Sequence, residues 1–95
     1  MISVLNIFEI YLGREEAWNQ VWQETQAALR RTEGFRTARL YHDVDKPQRR
    51  VVLSEWEDRT HYDAFARHSG LLSLLDAWEF APGSSDVMVV RRRTL

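Results

Sequence analysis

Few side chains in this sequence are suited to chemistry, and their positions are informative. His42, His61 and His68 are the only histidines, and histidine is the residue that takes up a proton near neutral pH. His42 adjoins Asp43 and a polar turn, which suits a solvated imidazole or a base. His61 and His68 lie about two turns apart on one expected helix, too far to share a metal easily. His68 precedes Gly70, where a helix C-terminus favours its cation. Asn6 interrupts an apolar strand face. A buried amide must find a partner, and packing alone does not explain this one, so it suits backbone or a ligand carbonyl. Four tryptophans in 95 residues exceed what a small core needs. Aromatics of this kind suit interfaces and ligand cavities. Trp56, at a strand end, fits either an aromatic plug or a ligand wall. Trp18, Trp22 and Trp78 read more simply as core or dimer contacts.

Other chemistries are missing from the sequence. There is no cysteine, which removes disulfides, thiolate metal sites and cysteine nucleophiles. Asp43, Asp45, Asp58 and Asp63 lack calcium-loop spacing. No glycine-rich phosphate loop or Gly-x-Ser-x-Gly elbow occurs. A net charge of -1 argues against a nucleic-acid binder. The first residues make a poor signal peptide, and no apolar run approaches the roughly 20 residues needed to span a bilayer. A cytoplasmic protein with no membrane partner is the expectation.

The elements that must position these residues follow from hydrophobic period. Ile2 to Tyr11 reads as a strand, with Ile2, Val4, Asn6, Phe8 and Ile10 on one face and Leu5 and Ile7 on the other. Arg14 to Thr32 reads as a helix through Trp18, Val21, Trp22, Thr25, Ala28 and Leu29. Gly34 sits where a glycine ends a helix. Phe35–Val44 and Arg50–Glu57 form an expected hairpin around a turn containing Pro47. Asp58 is a good N-cap for a helix to His68 that buries Tyr62, Phe65 and Ala66. Leu71 to Trp78 suggests a short further helix, Pro82 to Ser85 a loop, and Asp86 to Arg93 a last strand. Arg91, Arg92 and Arg93 would protect its edge.

Strand-helix-strand repeated twice is the ferredoxin-like split βαβ arrangement, an α+β fold with a four-stranded antiparallel sheet in a single domain over residues 1–95. The helices cover one face of that sheet. Leu5, Ile7, Val52, Val89 or their alternates on the other face would meet water, and an apolar patch of that kind marks an interface. A second copy around a twofold axis, giving a homodimer, is the simplest cover.

Several features together resemble the antibiotic biosynthesis monooxygenase family of dimeric α+β barrels. They are the asparagine in the first strand, Glu33-Gly34-Phe35 after the first helix, the Thr37-to-His42 strand, Val51-Val52-Leu53-Ser54-Glu55-Trp56-Glu57-Asp58, and Tyr62-Asp63-Ala64-Phe65 with His68. The resemblance implies a small oxygenase acting without metal or flavin on aromatic or quinol-type substrates. Trp56 and Tyr62 match the tryptophan and tyrosine that such enzymes place beside their ligand, and His42 roughly matches a cavity histidine. Asn6, His42, Trp56 and Tyr62 are then the expected catalytic residues, with Phe65 and His68 contacting substrate. The asparagine expected on the third strand is replaced by Val52. Two alternatives remain: a ligand-binding or stress-response dimer without catalysis, and a heme-handling protein using His61 or His68. The heme-degrading pattern itself fits less well, since Phe65 stands where its tryptophan would be and Leu75 or Asp76 where its histidine would be.

Overall fold

Alternation along the first strand decides what the molecule buries. In β1 (Ile2–Glu9) the side chains of Val4, Asn6 and Phe8 are buried, while Leu5 and Ile7 between them are half-buried. This is the period of two of a strand whose faces meet different surroundings. The computed structural model describes residues 1–68 and the strand 86–91. The remaining elements are α1 (Glu15–Arg30), β2 (Phe35–His42), β3 (Arg49–Trp56), α2 (Arg59–His68) and β4 (Asp86–Arg91). They build one antiparallel sheet of order β2-β3-β1-β4. With the two helices this is the expected ferredoxin-like α+β fold. The expected helix over Leu71–Trp78 and the Pro82–Ser85 loop lie outside the described residues.

One face of the sheet carries the core. Val4 and Phe8 of β1, Val52 and Trp56 of β3, Trp18, Trp22 and Leu29 of α1, and Tyr62 and Phe65 of α2 are all buried. Burying each of these large side chains contributes about 1.5–3 kcal/mol, so this layer dominates the stability. Phe8 packs on Trp18 with ring centroids 5.5 Å apart, and Trp18 stacks on Trp22 one turn later. The two tryptophans are therefore core residues, as their helical spacing suggests. On the opposite face, Leu5 stands directly across from Leu53 and Ile7 from Val51. Val52, expected on that face with Leu5 and Ile7, instead points into the core, because alternate residues of a strand face opposite sides.

The ends of the elements have local causes. The Asp43 carboxylate accepts the backbone N–H groups of Asp45 and Lys46 at 2.8 and 3.1 Å. That turn closes β2 at His42, two residues before the expected end. Thr32 donates its hydroxyl to the Ala28 carbonyl and its N–H to the Leu29 carbonyl, finishing α1. Gly34 then turns the chain with φ +85°, a conformation glycine adopts without steric cost. Asp58 caps α2 as expected, its carboxylate accepting the His61 N–H at 2.9 Å.

Candidate active site

Three elements converge on Trp56. It ends β3 and is 1% exposed. Its indole meets Phe35 at the start of β2, and Tyr62 and Phe65 on α2, with centroid separations of 5.4, 5.6 and 5.6 Å. Tyr62 and Phe65 are three residues apart, so both point from one face of α2. The indole N–H donates to the Ser54 hydroxyl at 3.0 Å. Ser54 lies two residues back on β3 and therefore on the same face of the strand.

Tyr62 connects this aromatic group to Asn6. Burial pushes the Tyr62 phenol above its ordinary pKa, and a hydrogen bond with the Asn6 side chain opposes that shift. The Asn6 amide donates to the phenol oxygen, which favours the charged form. Asn6 itself is 4% exposed, between Val52 of β3 and Val87 of β4 in the sheet register. The buried amide thus lies beside the Tyr62 phenol. The result is an amide and a neutral phenol side by side in a dry, aromatic setting. Such a pair can donate hydrogen bonds to an oxygen on which negative charge develops.

Asn6, Trp56, Tyr62 and Phe65 therefore come together, and His42 and His68 do not join them. His42 is exposed at the far end of β2, opposite Arg50. Leu40 is paired with Val52, the cross-strand neighbour of Asn6, so His42 lies two strands from Asn6 and two residues further along. His68 is exposed at the end of α2, about 9 Å of helix axis beyond Tyr62. The third histidine, His61, bonds Asp58 through Nδ1 at 2.8 Å and lies against Gly34. No group of three potential metal ligands occurs among the described residues. Ser54 is the participant that sequence reasoning passed over. Its signal is a hydroxyl on the same strand face as Val52 and Trp56.

A separate cavity of about 230 Å³ opens between the last turns of α1 and the start of β2. Phe35 is one of its walls, so it lies across Phe35 from the Trp56 group.

Fold and site together define a class: a ferredoxin-like α+β domain with a buried amide–phenol pair against an aromatic cluster. Residues 1–73 match the antibiotic biosynthesis monooxygenase family, and the chain belongs to that family. No curated protein matches it in sequence. Solved structures share the fold at low identity. A conserved protein from Methanosarcina mazei Go1 is 17% identical with a TM-score of 0.86, over 97% of this chain and 92% of that one. SnoaB, a cofactor-independent oxygenase from Streptomyces nogalater, is 21% identical with a TM-score of 0.81, over 99% of this chain and 94% of that one. Rv0793 from Mycobacterium tuberculosis is 17% identical with a TM-score of 0.82, over 99% of this chain and 96% of that one. Among the described residues no helix is long and apolar enough to cross a membrane.

Proposed function

We propose that this protein is a cofactor-independent monooxygenase of small aromatic or quinol-type substrates, acting as a homodimer of single-domain subunits. The observation that carries the reading is the buried Asn6 beside Tyr62, whose ring packs edge-on against Trp56. Membership of the family supports it, as does the fold shared with SnoaB, itself a cofactor-independent oxygenase. The expected third-strand asparagine is missing, but Asn6 is the direct cross-strand neighbour of Val52. The amide enters the same part of the sheet from the adjacent strand.

The chemistry asks little of the protein. An electron-rich substrate with an acidic C–H loses a proton, and its anion gives an electron to dioxygen. Recombination forms a hydroperoxide on the substrate carbon. Loss of water leaves a carbonyl, so a CH2 group and O2 yield C=O and H2O. Tyr62 and Asn6 hold the substrate oxygen and favour its anion, while Trp56 and Phe65 flank the rings and exclude water. The proton passes to solvent or to a base outside the pair.

The test is incubation with a panel of anthrone-like and quinol substrates, with and without oxygen. Oxygen uptake matched by carbonyl product is expected. Tyr62→Phe should lower kcat by about 100-fold, the usual cost of losing one donor to a developing oxyanion. No oxygen-dependent product across the panel would count against the proposal.

One observation favours a second reading, a ligand-binding dimer without catalysis. The Trp56 indole is packed by three rings and its N–H is satisfied by Ser54. Saturable ligand binding without turnover would select that reading.

A further inference from the structure

We propose that the cavity between α1 and β2 is a second binding site, for a small aromatic carboxylate. Its floor is apolar, made by Leu29, Phe35 and Ala38. Its polar lining is Gln26 and Arg30 from α1 and Arg36 and Thr37 from β2. Two arginines, a glutamine and a threonine thus line it together with the aromatic and aliphatic residues, with no acidic residue in the lining. Its volume, about 230 Å³, exceeds the roughly 150 Å³ that encloses a benzene ring. One ring bearing a carboxylate fits that space, and a fused polycyclic system does not.

The charge balance favours an anion. Guanidinium presents paired donors that match a carboxylate. The negative end of α1 would oppose this. The Ala28 and Leu29 carbonyls there are already bonded by Arg31 and Thr32, however. Two carboxylates compete: Glu55 accepts the Thr37 hydroxyl at 3.5 Å, and Glu57 lies 3.8 Å from Arg36 on the surface. The Arg36 and Glu57 side chains are half exposed, so their ion pair is weak and yields easily. The site is distinct from the Asn6–Tyr62 pair, and it stands or falls independently of the monooxygenase reading. The two regions share one wall: the Phe35 ring meets Trp56 edge-on at 75°.

Benzoate is the probe, followed by amide and indole N–H shifts in 15N spectra of the intact protein. Saturable shifts are expected at Thr37, Ala38 and the Trp56 indole. Arg30→Gln and Arg36→Gln should each weaken benzoate about fivefold while leaving the spectrum otherwise folded. Glu57→Gln should tighten it by releasing Arg36. Benzamide, the neutral isostere, should bind at least tenfold more weakly. Equal binding of benzamide and benzoate would overturn the proposal, as would unchanged affinity in the Arg30→Gln/Arg36→Gln double variant. Inorganic phosphate competing at the same shifts with benzoate's affinity would also overturn it, because the ring would then contribute nothing.

Discussion

Ser54 shows how much one small side chain can decide. Its hydroxyl is the partner of the Trp56 indole N–H in a place water does not reach. Ser54→Ala should cost about 1–3 kcal/mol, the penalty for a buried donor left unpaired. Urea unfolding would measure it, and a loss below a few tenths would mean the indole finds another acceptor. Gly34 makes a steric counterpart. A Cβ there would lie 2.3 Å from the His61 ring, and the residue has φ +85°. Gly34→Ala should lose at least about 1–2 kcal/mol from the left-handed backbone alone. In a His61→Gly background, which removes both the ring and the Cβ that crowd Gly34, Gly34→Ala should lose only the backbone part. A loss in that background as large as in the wild type would exclude the clash. The role of Gly34 was only half legible beforehand. Its position after a helical run pointed to a turn, but its contact with a residue 27 positions later in the chain did not follow from spacing.

At the scale of elements, α2 begins on a charged hinge. The His61 imidazole is held above its ordinary pKa chiefly by its bond to Asp58, and Asp58 is held below its own by the His61 backbone and ring. The signs fix a window. A raised imidazole stabilises fully below its unfolded value of about 6.5, and that contribution is lost as pH rises through the folded value. A lowered carboxylate stabilises above about 3.9, and that contribution is lost as pH falls through the folded value. The pair therefore secures α2 best between about pH 4 and 6.5. Asp58→Asn keeps an N-cap acceptor and removes the charge. Thermal melts should show the wild-type advantage over Asp58→Asn largest near pH 5.5 and smaller at alkaline pH. A gap independent of pH would mean that the carboxylate acts only as a cap. The N-cap itself was readable from Asp58 before a helical run. The pairing of its carboxylate with His61 needed the helix to form.

At the scale of the molecule, the two faces of the sheet differ. The helices and the core occupy one side, while Leu5, Ile7, Val51 and Leu53 form matched cross-strand pairs on the other. The homodimer proposal covers this second side with another subunit. Sedimentation at micromolar concentration should give twice the monomer mass, and Leu53→Asp should shift it to monomer by placing an unpaired charge in a buried patch. A wild-type monomer would remove the twofold arrangement.

The sequence by itself determined the order of the described strands and helices, the buried stripe of each helix, the alternation along each strand and the polar break at Asn6. Those depend on period and on local turn chemistry, which neighbouring residues settle among themselves. Only the tertiary structure decided that Asn6 lies beside Tyr62, that Ser54 serves Trp56, and that His42 is exposed at the end of its strand. It also decided that a basic cavity opens beside Phe35. Such pairings depend on strand register and on where each helix settles across the sheet. They are fixed by the sum of distant contacts, which no window of sequence contains.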